Sequence, residues 1–302
     1  MEKYLNNNKT LIISHLADVD GMGSIILGKL AFKEFDYLLI HINEEKEILK
    51  YLSKIYTNIY ICDIPLEKEI ADKINSLNLN IHHFDHHGTN TYANKYSFSN
   101  VMVNFNNHLT CGTELFYNYL VTNNLLNKSS IIDEFVELVR EYDTWDFKIE
   151  TKENAHNLTI LFEIMGYQDF INHIETLLTL DKFALTNADN EMIKYRNQEI
   201  KDLITSINAN LIRIKYNNYS SALIFSNKYQ SDIGNEICLL NKDLDFVFIL
   251  DINLRKASLR SLDMDVSLIA QKYGGGGHPH ASGFYLNDDN MKEILNLLIN
   301  HD

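Results

Sequence analysis

Ile81-His82-His83-Phe84-Asp85-His86-His87-Gly88 places an Asp-His-His triplet at the end of a short apolar run. A run of that length reads as a buried β-strand. A strand ending in polar groups delivers them to the carboxyl edge of an α/β sheet, where ligands bind. His82 and His83 point to opposite sides of such a strand and read as structural. One strand cannot hold a metal ion alone, so partner carboxylates are required at the ends of neighbouring strands.

The sequence on either side supplies candidates. Residues 11–14 form an apolar run, followed by a polar group holding His15, Asp18 and Asp20 and by helical spacing over 24–35. Residues 37–42 and 59–64 repeat the strand pattern, with amphipathic helices expected over 44–56 and 66–77. Strands at 81–84 and 101–105 follow, then a helix over 111–121. Beyond this the pattern is helical at 131–142, 153–165 and 169–180. The polar helical stretch 189–210 reads as a connector. After it come strands at 211–216, 221–225, 246–252 and 257–261, with a helix over 232–240. A glycine run, 274–277, lies as a formed loop between a short helix at 266–273 and a last strand at 281–286, and a helix over 291–299 follows. Strands alternating with helices predict an α/β chain. Residues 1–185 are expected to form a parallel-sheet catalytic domain with helices on both faces, 186–210 a helical linker, and 211–302 a smaller mixed α/β domain.

The composition bounds the function. With 302 residues and 45% apolar content the chain can build a full core in two domains. Its net charge of −14 works against extended docking on duplex DNA or long RNA, which calls for a broad basic face. Small anionic substrates remain open. Cys62, Cys111 and Cys238 are far apart and lack CxxC spacing, so neither a disulfide framework nor a structural zinc site is indicated. No leader pattern and no apolar stretch of about 20 residues is seen, and the expectation is a soluble, cytoplasmic protein without membrane contact.

Four places in the first half put metal-ligand side chains just after an apolar run: His15, Asp18 and Asp20; Asp63; Asp85, His86 and His87; and Asp143. Mixed carboxylate and imidazole sets suit Mn²⁺ or another first-row divalent ion, and this number of carboxylates favours two ions over one. Two such ions could share a hydroxide and neutralise charge on a phosphoryl group, which implies hydrolysis of a phosphate ester. Competing readings stay open at each position. Asp63 before Ile64-Pro65 could be a turn former or helix cap, His15 to Asp20 a polar loop, Asp143 an exposed loop acid, and the glycine run a flexible linker.

Taken in order, these residues resemble the four motifs of the DHH phosphoesterase superfamily. The motifs are Ser14-His15-Leu16-Ala17-Asp18-Val19-Asp20-Gly21, Asp63 in Ile61-Cys62-Asp63, the triplet Asp85-His86-His87, and Asp143 in Tyr142-Asp143-Thr144-Trp145. The resemblance implies His15, Asp18 and Asp63 around one ion and Asp20, Asp63, His86 and Asp143 around the other. The spacing between His15 and Asp18 differs by one residue from that of many members. His87 would then act near the phosphate, and Asp85 would orient a neighbouring imidazole. Ser258-Leu259-Arg260-Ser261, Asp265-Val266, Gly274-Gly275-Gly276-Gly277-His278 and Ala281-Ser282-Gly283-Phe284 look like the family's DHHA1 substrate-binding domain. Glycines there let backbone N–H groups approach an anionic oxygen, and Arg260 can make a bidentate phosphate contact. The substrate-binding set expected is Arg260, Ser261, Gly275, Gly276, Gly277 and His278.

The resemblance further implies a stand-alone enzyme of the nanoRNase type, using two divalent ions, Mn²⁺ foremost with Mg²⁺ or Co²⁺ as alternatives. Its substrate would be a short RNA or dinucleotide such as pApA, with 3′-phosphoadenosine 5′-phosphate (pAp) as another. A cyclic-dinucleotide or cyclic-nucleotide phosphodiesterase and a RecJ-like single-strand exonuclease are the alternative enzymes, and a nucleotide-binding regulator is the non-enzyme alternative. A family II pyrophosphatase fits less well, since its second domain lacks this glycine motif. Homodimerisation is left open.

Overall fold

A computed structural model describes residues 1–6, 8–41, 44–146 and 152–298. The strand end expected at Ile42 and the helix end expected at Ile299 lie outside the described residues. The chain divides into two compact units, Met1–Ile193 and Lys194–Asp302.

The first unit runs β1 (Glu2–Tyr4), β2 (Thr10–His15), α1 (Val19–Ala31), β3 (Asp36–Ile40), β4 (Asn58–Cys62), α2 (Lys68–Ser76), β5 (Ile81–Asp85) and β6 (Ser99–Val101). A small hairpin of β7 (Asn104–Phe105) and β8 (His108–Leu109) follows, then α3 (Gly112–Thr122), α4 (Ser130–Thr144), α5 (Lys152–Met165) and α6 (Tyr167–Leu177), and α7 (Asn187–Ala209) runs on into the second unit. The main sheet has the order β1-β3-β2-β4-β5-β6. Every pairing in it is parallel except β1 with β3.

Side chains of period two put Leu11, Ile13, Leu38, Ile40, Ile59, Ile61 and Ile81 in one core with Ile70, Ala71 and Ile74 of α2. On the other face Tyr60 stacks on Phe32 at 5.6 Å and meets Phe116 of α3 at 5.2 Å. Burial on both faces is why these strands read as continuous apolar runs rather than alternating ones. His82 lies on the α3 side, 4.9 Å from Tyr119. His83 lies buried on the other, between Ser99 Oγ and the Ile64 carbonyl, each 2.8 Å away.

Burial holds the His83 imidazole below its usual range, so the unfolded chain takes up a proton before the folded one does. Its contribution to stability is therefore complete above about pH 6.5 and is lost as the pH falls. The denaturation midpoint of a His83→Gln variant is expected to drop less between pH 7 and pH 5 than that of the parent chain, as measured by urea titration at both values. Equal drops would remove His83 from the acid sensitivity.

Several expectations are corrected. The helix expected over 44–56 is only a 3-10 turn, Glu45–Lys50, in which Ile48 alone is buried. One apolar anchor among charged residues does not hold a longer helix. The strand expected over 101–105 divides: β6 ends at Val101, and Asn104–Phe105 turns back on His108–Leu109. Asn106 and Asn107, with φ of 48° and 68°, make the tight turn. β1 was not expected; it adds an antiparallel edge to a sheet otherwise parallel.

The second unit contains β9 (Ile212–Tyr216), β10 (Tyr219–Phe225), α8 (Gln230–Leu240), β11 (Phe246–Asp251), β12 (Lys256–Arg260), α9 (Ser267–Lys272), β13 (Gly276–His278), β14 (Ala281–Tyr285) and α10 (Asp288–Asn296). Its mixed sheet has the order β13-β14-β12-β11-β10-β9, with only β10 and β11 parallel. Phe246, Phe248, Ala257, Leu259 and Phe284 form its core with Val266, Ile269, Ala270 and Ile294. The opposite face packs on α8. The glycine run is not all loop, because Gly276 and Gly277 belong to the edge strand β13. A Cβ at Gly275 would lie 2.1 Å from Gly283 O, and Gly277 has φ of 137°. These two glycines are therefore set by packing and backbone shape. α7 occupies most of the expected linker, and the division between the units falls within it. Among the described residues no helix is long and apolar enough to cross a membrane.

Candidate active site

β2, β4 and β5 are neighbours in the sheet and parallel, so their carboxyl ends lie side by side. That placement brings His15, the last residue of β2, next to Asp63 after β4 and His86 after β5. His15 Nε2 contacts Asp63 Oδ2 and lies 3.6 Å from Asp18 Oδ1. His86 Nε2 lies 3.2 Å from Asp63 Oδ1, 3.4 Å from Asp143 Oδ2 and 3.9 Å from Asp20 Oδ2. Asp63 is thus the common member. It is buried and has φ of 56°, so its carboxylate turns back over the strand end instead of continuing the pleat.

The remaining acids come from helix ends. Asp18 caps α1 and accepts hydrogen bonds from the amides of Asp20 and Gly21. Asp20, buried in the first turn of α1, accepts from the amides of Gly112 and Thr113 at the start of α3, both at 2.7 Å. The N-terminus of a helix is the favourable place for such an anion. Asp143 is at the opposite kind of end, the last turn of α4, where the helix dipole disfavours it.

Electrostatics follow from this crowding. Burial and the neighbouring Asp63 and Asp143 push the Asp20 carboxyl well up, and burial lifts Asp143 to about 6 despite His86. Burial alone would raise Asp63, but His15 and His86 outweigh it and hold this carboxyl well below the usual range. Burial would lower the His15 imidazole, yet Asp18 and Asp63 push it up to about 10. Crowded carboxylates of this kind call for compensating positive charge. Two of their oxygens, Asp63 Oδ1 and Asp143 Oδ2, are buried and accept no hydrogen bond.

His15 with Asp18 and Asp63, Asp20 with His86 and Asp143, and Asp63 with His86 and His87 each bring ligand atoms within 4.8 Å of one another. Oxygen and imidazole donors in this geometry fit first-row divalent cations. His15, Asp18, Asp63, His86, His87 and Asp143 line, with Ile40, His41, Glu45 and Pro65, a cavity of about 190 Å³.

Asp85 is not among the residues that line this cavity. It is fully buried and accepts from the His86 and His87 amides, from Asn90 Nδ2, and from His87 Nδ1 at 2.7 Å. The ring it holds is that of His87, not a residue of the four-acid cluster. Sequence reading missed Asn90 and the pair Gly112-Thr113. The Thr110-Cys111-Gly112-Thr113-Glu114 stretch signals a helix start, but nothing local shows that its amides serve an acid so distant in the chain.

In the second unit Arg260 and His278 flank Ala281 on neighbouring strands, which sets these expected substrate residues in one row across β12, β14 and the edge strand β13. Arg260 Nη2 donates to Ser231 Oγ at 2.8 Å. The Ser261 hydroxyl is engaged by the Met264 carbonyl, which gives it a part in the turn.

Comparison with known proteins bears on this geometry. Residues 9–140 match the DHH family, N-terminal domain. The oligoribonuclease NrnB of Bacillus subtilis is 28% identical over 286 residues, covering 90% of this chain and 72% of that one. Among solved structures, the pGpG-specific phosphodiesterase PggH of Vibrio cholerae has a TM-score of 0.56 at 14% identity, with 97% and 98% of the two chains covered. RecJ of Thermus thermophilus in complex with Mn²⁺ has a TM-score of 0.59 at 10% identity, with 96% and 51% covered.

Proposed function

We propose that this chain, whose residues 9–140 match the DHH family N-terminal domain, is a phosphoesterase that hydrolyses short oligoribonucleotides such as pApA to mononucleotides, with pAp as a further substrate. The observation that carries the proposal is the convergence of Asp18, Asp20, Asp143, His15 and His86 around Asp63, with two of the carboxylate oxygens buried and lacking a donor. The resemblance to an oligoribonuclease over most of both chains supports short RNA as the substrate.

His15, Asp18 and Asp63 would hold one divalent ion and Asp20, Asp63, His86 and Asp143 a second, with Mn²⁺ favoured by the mixed oxygen and nitrogen donors. Such ions supply neutralisation of phosphoryl charge and acidify a water. The chain's own residues do the rest. The α3 amides fix Asp20, and Asp85 fixes the His87 ring through Nδ1. Burial would depress His87, but Asp85 outweighs it and raises the ring above its ordinary value. Held through Nδ1, the His87 ring in its protonated form can deliver the Nε2 proton to the leaving oxygen. In the second unit Arg260 and the Gly276 edge would receive substrate phosphate, forming the DHHA1-type domain of this chain.

His87→Ala is expected to lower turnover about a hundredfold with bound metal unchanged, measured by steady-state kinetics alongside elemental analysis. Parallel loss of metal would make His87 a ligand instead. The function itself is tested by Mn²⁺-dependent release of mononucleotide from pApA, a longer RNA, pAp and cyclic dinucleotides. Release from pApA first is expected. Hydrolysis of none, with tight nucleotide binding, would favour a regulator.

A further inference from the structure

Arg140, one turn before Asp143 in α4, is 2% exposed. Its guanidinium is engaged on three sides. Nε and Nη2 grip the Glu137 carboxylate at 2.9 and 3.1 Å, while Nη1 donates to the Leu109 carbonyl and to Asp146 Oδ2, both at 3.2 Å. Its ion pairs are with Glu137 and Asp146, not with Asp143 of the cluster. A buried ion pair adds little net stability over apolar packing, so the contribution of this one is to be sought in the geometry it fixes.

Two arms lead from the guanidinium to the group formed by Asp20, His86 and Asp143. One runs through Leu109. The residues on either side of it are tied to the first turn of α3, His108 Nε2 lying 2.8 Å from Glu114 Oε1 and Thr110 Oγ1 donating to Glu114 Oε2 at 2.5 Å. That turn opens with the Gly112 and Thr113 amides that hold Asp20. The other arm runs through the close of α4. Thr144 Oγ1 donates to the Arg140 carbonyl at 2.8 Å and accepts from the Asp146 amide at 3.3 Å. With Asp146 also gripped by the guanidinium, the chain is closed around the left-handed Trp145, which has φ of 57°. Asp143 stands directly before this closure, in a turn where the helix dipole opposes it. One side chain thus braces the supports of two acids that come from different helices and face the same imidazole.

We propose that Arg140 is a positioning residue that sets the spacing of Asp20 and Asp143, and thereby the divalent-ion affinity of the group they form with His86. The proposal rests on the two-ion reading of the cluster and not on the choice of substrate. His15 and Asp18 lie outside both arms, so their ion is expected to respond far less.

The test compares Mn²⁺ titration calorimetry and metal-free melting of the intact protein, Arg140→Lys and Asp146→Asn. A His15→Asn chain shows which binding step belongs to the other group. Lysine keeps the charge but not the fork, so Arg140→Lys should weaken the step of the Asp20 group by about tenfold and the other step far less. Asp146→Asn cuts one arm at a half-exposed side chain and should weaken the same step by a smaller factor while melting as the parent does. Equal weakening of both steps by Arg140→Lys, or of neither, would overturn the proposal. If Arg140→Lys melts well below the parent, Asp146→Asn decides, and an unchanged titration there overturns it. Should the intact protein bind fewer than two ions, the two-ion reading fails and this proposal with it. If the titration splits as expected but pApA is not cleaved, the role of Arg140 stands and the hydrolase reading fails.

Discussion

Replacing Asp63 with Asn is expected to lower kcat/KM by roughly three orders of magnitude while leaving the fold intact. Asp63 faces His15 on one side and His86 on the other, and its low-lying carboxyl is the one acid of the cluster that both imidazoles hold ionised. Asn keeps the shape but removes the charge that two candidate ions would share. It also tolerates the left-handed backbone that this position adopts at φ of 56°. Ala does not: Asp63→Ala adds about 1 kcal/mol of backbone strain to the same loss, so it should also melt earlier. Circular dichroism melts, metal per chain and pApA turnover check the pair. An Asn variant with full metal and activity within tenfold of the parent would remove Asp63 from the centre.

Gly112→Ala should harm stability and activity together. A Cβ there would lie 2.5 Å from Asp63 Cβ and 3.0 Å from its Cα and N, and backbone atoms cannot swing aside as a flexible side chain can. Overpacking of this kind costs about 1–3 kcal/mol, which would lower the melting temperature by the order of 5 °C. Relief of the clash would move the α3 amides off Asp20, and a misplacement near 1 Å costs on the order of a hundredfold in rate. Calorimetry and turnover of the same preparation test both arms. A variant with parental melting and rate would show that Asp63 and α3 can separate freely.

Much of this architecture is legible in the residues because parallel strands buried on both faces leave unbroken apolar runs. In this chain each such run at β2, β4 and β5 is followed at once by polar ligand types. The triplet after β5 is visible for that reason. The support of Asp20 is not visible, since the amides that hold it belong to a helix 92 positions away. Nor is the distribution of work within the glycine run: four consecutive glycines look alike, yet Gly275 and Gly277 answer to packing against β14 and Gly276 to open space. The short strands failed for want of length, as two or three residues give period two too little to show.

The pairing of β2 with β4 and of β4 with β5 sets Ile13 opposite Ile61 and Cys62 opposite Phe84. Sliding β4 by a single position would turn Ile59 and Ile61 out of their layer and withdraw Asp63 from both imidazoles in the same movement. Catalysis and foldedness therefore share one specification at this strand. Sequence drift has no intermediate there in which the chemistry is lost but the layer survives, or the reverse.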